Sequence, residues 1–135
     1  MMARASTMMS EGEELPSRQI GPISQTDIVR FAGAGGDFNP LHHDAEYARR
    51  AGLPGVIAMG QMQAGMLASW VADVVGVENV ACFSVRFASP LAIGETLTLN
   101  GRVDQLNDGV AELALVAAVG ERVVVSAKAH VRVAS

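Results

Sequence analysis

Between Met59 and Val75 the chain carries a helical pattern with no charged face. Met59, Met62, Met66, Leu67, Trp70, Val71 and Val74 follow the three- and four-residue spacing of one helix face, and Gly76 supplies a stop. The other side holds Ala64, Gly65, Ala68, Ser69 and Ala72, small rather than charged, which predicts burial around most of the circumference. Such a helix has to be wrapped. Val80 to Phe87, Glu95 to Asp104, Val110 to Val119 and Arg122 to Val133 are β-rich runs separated by turn residues, with Asn107-Asp108-Gly109 reading as a hairpin. In the last run Val123, Val125, Ala127, Ala129, Val131 and Val133 share one face. The predicted class is α+β: a short strand, three helices and a four-strand antiparallel meander, with the long helix on the concave face of a curled sheet.

The 135 residues fit one domain, expected over residues 15–135 behind a disordered tail of residues 1–14. The tail, MMARASTMMSEGEE, lacks the apolar stretch of a secretory signal. No run approaches the roughly 18 uncharged apolar residues of a membrane span, since Gln61, Gln63 and Asp73 interrupt the best candidate. A formal charge of −4 without a Lys/Arg cluster argues against nucleic acid as a partner. The one cysteine, Cys82, lies in an apolar run, is expected in the core, and points to a reducing, cytoplasmic setting. No ligand set with metal spacing is present, so neither a metal nor a cofactor is expected.

Upstream of the long helix, Leu15 to Ile20 reads as a short extended lead-in, and Ser24 with Asp27 forms a capping-box pair opening a helix that Gly33, Gly35 and Gly36 end. Asp44 caps a second helix of about two turns that closes at Arg49-Arg50-Ala51-Gly52. The segment between them, GGDFNPLHHD, carries the chemistry. Asp37 and His42 are five residues apart, a spacing that regular helix would splay by about 140° and a strand would put on opposite faces. Pro40 fixes its own φ and pushes Asn39 toward extended backbone, so the loop is a shaped turn able to bring both side chains together. A carboxylate beside an imidazole is a general acid–base pair for near-neutral pH. Just downstream, the N-terminus of the long helix at Met59-Gly60 offers free N–H groups and a positive dipole end that suit an oxyanion, and Gly60 has no side chain to obstruct it.

The run DIVRFAGAGGDFNPLHHD resembles the hydratase motif of the MaoC-like, (R)-specific enoyl-CoA hydratase family, and RFASPLAIGETLTLNGRV resembles that family's strand pair. The resemblance covers about Gly21 to Val133. It implies a single hot-dog fold, normally dimerised through its sheets, either as a homodimer or with a related hot-dog subunit. It also implies a hydro-lyase that hydrates trans-2-enoyl thioesters of coenzyme A or acyl carrier protein to (R)-3-hydroxyacyl thioesters, and dehydrates them in reverse. Carried over residue by residue, Asp37 and His42 would hold the water and share the proton transfers, Asn39 would hold the loop, and the Gly60 amide would take the thioester oxygen. The family usually has histidine before that glycine. Here it is Met59, which the resemblance places at the substrate pocket.

Two rivals follow from the same residues. A thioesterase of this fold generally places a carboxylate on the central helix, where this chain has Gln61 and Gln63. A non-catalytic acyl-thioester-binding subunit of a heterodimeric dehydratase is the other, raised by Met59. His43 and His130 are expected on solvated faces. Arg49, Arg50, Arg86, Arg102, Lys128 and Arg132 are the cations considered for coenzyme A phosphates or an acidic carrier protein.

Overall fold

A computed structural model describes residues 8–134. The elements run β1 (Arg18–Ile20), α1 (Gln25–Gly35), a 3-10 turn (Pro40–His42), α2 (Ala45–Arg50), α3 (Gly60–Val75), β2 (Val80–Phe87), β3 (Leu97–Asn107), β4 (Val110–Val119) and β5 (Arg122–Arg132). The strands form one antiparallel sheet in the order β1-β3-β4-β5-β2.

The core confirms the helix-in-sheet arrangement. Leu67, Trp70, Val71 and Val75 of α3 are buried against Leu97, Leu99, Leu113, Leu115, Ala129 and Val131 of the sheet. Each large side chain of this kind contributes about 1.5–3 kcal/mol by leaving water. The Trp70 indole N–H, which would be costly to bury alone, donates to the Pro16 carbonyl at 2.9 Å. Burial of α3 is not complete: Gln61, Gly65, Ser69 and Asp73, each four residues from the next, form an exposed stripe. No helix among the described residues is long and apolar enough to cross a membrane.

Four expectations need correction. The meander holds for β3-β4-β5 only. Strand β2 leaves its successor and pairs with β5 at the far edge, about 14 Å from β3 across three strand spacings. The linker between Phe87 and Leu97 spans such a gap easily, since nine extended residues reach about 30 Å. Cys82 is exposed rather than in the core. The register steps from Val80 opposite Val131 to Cys82 opposite His130, so the bulge at Ala81 turns the cysteine to the outer face. A second register shift, between Ala117 and Ala118, leaves Val124 without an opposite number and turns Val123 outward, off the face it was expected to share.

The expected tail is also different where it is described. Met9 and Leu15 are buried, and the Gly12 and Leu15 amides donate to the Val103 and Gly101 carbonyls, both at 2.8 Å, so residues 11–15 lie against β3, while Met8 bridges Ala134. Residues 1–7 fall outside the described residues.

Candidate active site

Helix α1 begins with the predicted capping box. The Ser24 hydroxyl accepts from the Asp27 amide at 3.0 Å, and the Asp27 carboxylate accepts from the Ser24 amide at 2.9 Å. That amide, with the Ser24 hydroxyl, holds the Asp27 carboxyl below its ordinary range. The helix continues through Gly33 and Gly35 and stops at Gly36, whose φ of 69° only glycine adopts without strain. The chain then reverses, the Asp37 amide donating to the Ala32 carbonyl at 3.0 Å. The site loop starts from this fixed corner.

Within the loop, short polar side chains replace regular structure. Asp37 Oδ1 accepts from the Asn39 amide at 3.2 Å, and Asn39 Oδ1 accepts from the Leu41 amide at 3.0 Å, capping the 3-10 turn that Pro40 opens. Asn39 thus holds the loop. With Oδ1 engaged, Asp37 Oδ2 points to His42 Nε2 at 3.4 Å. His42 is 8% exposed, whereas the Asp37 side chain is 44% exposed, so the pair has a buried end and an open end.

The imidazole is held from behind. His42 Nδ1 lies 2.8 Å from the Ile57 carbonyl oxygen, and a carbonyl only accepts, so Nδ1 carries the hydrogen. Nε2, facing Asp37, is then the atom that gains or loses a proton. Gln25 Nε2 donates to the His42 carbonyl at 2.9 Å and fixes its backbone from α1. Neither Ile57 nor Gln25 stands out in the sequence, because one acts through its main chain and the other is a polar residue in an amphipathic helix.

The second run that carries the family resemblance, beginning RFASPLAIGE, holds Ile57 in place. The Ala58 amide donates to Leu91 at 2.8 Å and the Ile93 amide to Val56 at 3.0 Å, clamping segment 56–58. Arg122 anchors this clamp, donating to both Glu95 carboxylate oxygens at 2.7 and 2.6 Å and to the Pro90 carbonyl at 2.7 Å. Partial burial pushes the Glu95 carboxyl up, but the Arg122 contacts and the Ala92 amide outweigh it and leave it below the ordinary value.

Helix α3 starts where expected, with Met59 as its N-cap residue and no side-chain cap on its first-turn amides. Met59 is buried in the core at 4% exposure. Gly60 also leaves room for a neighbouring ring: a Cβ there would meet Phe87 Cε1 at 2.9 Å, so the β2 ring lies over the glycine. A cavity of about 310 Å³ opens beside it, lined by Ile57, Gly60, Gln63, Phe87 and Ser89 among others. A larger groove of about 580 Å³ lies between α1 and α3, walled by Ile20, Ile23, Phe31, Met62 and Met66.

The structure does not bring the remaining candidates to this place. His43 is exposed, with Nε2 3.4 Å from the Phe38 carbonyl. His130 lies 3.7 Å from Glu112 on the outer sheet face, and Arg86, Arg102 and Lys128 flank a shallow hollow on that same face. The cations at the α1–α3 groove are Arg18 and Arg30 instead. Arg18 is paired with Asp73 at 2.9 Å. Asp44 is a helix cap, accepting from the Tyr47 amide at 3.1 Å.

The chain is similar in sequence and in fold to known proteins. The profile of the family described as MaoC like domain matches residues 7–126. Enoyl-CoA hydratase ChsH3 of Mycobacterium tuberculosis is 41% identical over 94 residues, 65% of this chain and 32% of that protein. The 3-hydroxybutyryl-CoA dehydratase of Methylorubrum extorquens is 30% identical over 115 residues, 82% of this chain and 73% of that protein. The chain therefore spans about a third of the first relative and nearly three quarters of the second. Among solved structures, a chain of the ChsH1-ChsH2 complex from Mycobacterium tuberculosis superposes with a TM-score of 0.84 at 25% identity, covering 94% of this chain and all of that one. With its helix-in-sheet hot-dog fold, its DFNPLH loop and a profile match over most of its length, this chain belongs to the MaoC-like domain family.

Proposed function

We propose that this chain is a hydro-lyase that adds water reversibly to trans-2-enoyl thioesters, giving (R)-3-hydroxyacyl thioesters on coenzyme A or an acyl carrier protein. The observation that carries the reading is the Asp37–His42 pair, 3.4 Å apart with the imidazole turned by the Ile57 carbonyl so that Nε2 faces the carboxylate. One water can hydrogen-bond to both groups at that separation. In hydration its oxygen bonds to C3 and its released proton passes to the pair. The C2–C3 π electrons move toward the carbonyl as enolate character develops, and C2 takes a proton. Asp37 and His42 share these transfers, Asn39 holds the loop, and the Gly60 amide at the start of α3 donates to the developing oxyanion.

The groove between α1 and α3 suits the acyl chain, because Ile20, Ile23, Phe31, Met62 and Met66 give it apolar walls and its flexible methionines adapt to different lengths. The two helices carry the site at their ends, Asp37 following α1 and Gly60 opening α3. Met59 supports the start of α3 from the core in place of a direct substrate contact. The first turns of α3 carry glutamines rather than a carboxylate, which favours hydration over thioester hydrolysis.

The chain also forms a dimer in this reading. Strand β2 pairs with β5 alone among the described strands, leaving an eight-residue edge unpaired. A second hot-dog chain adding there would continue the sheet, and the likeness to a chain of the ChsH1-ChsH2 complex keeps both an identical and a related partner open to test. An exposed Cys82 beside that edge fits the reducing cytoplasm. Loss of the conjugated-thioester absorbance of crotonyl-CoA tests the activity directly; release of free coenzyme A would indicate the hydrolase, and an inert chain the non-catalytic subunit.

A further inference from the structure

A residue that lines the cavity beside the α3 N-terminus carries a buried polar atom without a hydrogen-bond partner among the described residues. Gln63 is 2% exposed, and its Nε2 has no hydrogen-bond partner among the described residues. A buried amide in that state costs the fold free energy, and a methionine or leucine of similar reach would pack there without the cost. Stability therefore gives no reason for glutamine at this position. Its place in the helix does: Gln63 is one turn beyond Gly60, and helical side chains lean toward the N-terminus, over the preceding turn. Gln63 and Gly60 both line the same cavity. The uncapped first-turn amides and the unpaired Nε2 thus supply donors of one kind at one end of the helix. No acidic side chain lines the cavity, so no carboxylate competes there for the donors. Ile57, which holds His42 through its carbonyl, lines the cavity as well, so one residue links the donors' cavity to the acid–base pair.

We propose that Gln63 is a second carbonyl-binding residue, donating from Nε2 to the thioester carbonyl oxygen beside the α3 backbone amides and completing its hydrogen bond only when an acyl thioester is bound. The inference rests on the hydratase reading and adds a side-chain donor to it. An acceptor of this kind is what a carbonyl or its enolate provides; a cation would repel both donors.

Gln63→Met removes the donor and keeps the length. With crotonyl-CoA its kcat should fall about 100-fold, the usual effect of deleting one oxyanion donor, while its unfolding midpoint equals or exceeds that of the unchanged chain. A kcat within threefold overturns the inference and leaves the hydratase reading standing. Should Gln63→Met lower the unfolding midpoint, Gln63→Glu, which keeps the shape and puts oxygen in place of nitrogen, must show the same kcat loss; full activity overturns the proposal. If the unchanged chain does not hydrate crotonyl-CoA, the hydratase reading fails, and calorimetry with butyryl-CoA and free coenzyme A decides Gln63 separately. Tighter binding of butyryl-CoA than of coenzyme A, lost in Gln63→Met, supports the carbonyl contact. Equal binding of the two, or a difference that survives in Gln63→Met, overturns it.

Discussion

His42 Nδ1 and the Ile57 carbonyl oxygen stand 2.8 Å apart, and that contact orders the site. It fixes which imidazole nitrogen faces Asp37, and it ties the DFNPLH loop to the segment leading into α3. The carbonyl is in turn held by the loop that precedes β3, and the loop by Arg122 of β5. Two sequence runs separated by more than forty residues therefore serve one imidazole.

The Arg122–Glu95 pair makes part of the stability pH-dependent. The Glu95 carboxyl is held below its ordinary value in the folded chain, so its contribution is full above the unfolded value and is lost as pH falls through the folded one. Glu95→Gln should cost about 1 kcal/mol at pH 7, a figure that allows for solvent screening of a part-exposed pair. The difference from the unchanged chain should shrink as pH falls below the ordinary carboxylate range. Urea unfolding at pH 7 and in acid measures it, and an equal penalty at both would contradict the linkage.

Gly60→Ala brings a methyl group against the Phe87 ring, with Cε1 2.9 Å from the new Cβ. That ring is 55% exposed and can swing aside, so the stability loss should stay within about 1 kcal/mol. The displaced ring and the methyl both enter the cavity beside the α3 amides, so kcat/KM for crotonyl-CoA should fall at least tenfold. Thermal unfolding and initial rates together check this. Unchanged kinetics would place the carbonyl elsewhere.

The unpaired β2 edge predicts an assembly. Light scattering of the purified chain should give twice its own mass, and a concentration-independent monomer would contradict dimerisation through that edge.

Much of this was legible in the sequence because the signals were local. The Ser24–Asp27 box, the Asp44 cap, the Asp108-Gly109 turn and the period of α3 each depend on neighbours within a few residues. The chain path of β2 was not, since the choice between the β3 and β5 edges is made by tertiary packing. Nor were the faces of Cys82 and Val123, because a bulge adds one residue and reverses the alternation beyond it. At the site, Asp37, Asn39 and His42 were readable from the loop chemistry. The Ile57 carbonyl was invisible because main-chain acceptors carry no residue signature, and Gln63 because only burial reveals that its amide lacks a partner.

The account turns on Asp37 and His42 acting as one unit on a water. The direct measurement is the rate of crotonyl-CoA hydration, read as loss of its conjugated absorbance, for the unchanged chain, Asp37→Asn and His42→Ala. Because each group needs the other to move the proton, each variant should lose at least about 1,000-fold in kcat/KM, and the double variant should lose little more than either alone. Hydration that persists in either single variant at close to the original rate would contradict the assignment of the acid–base pair.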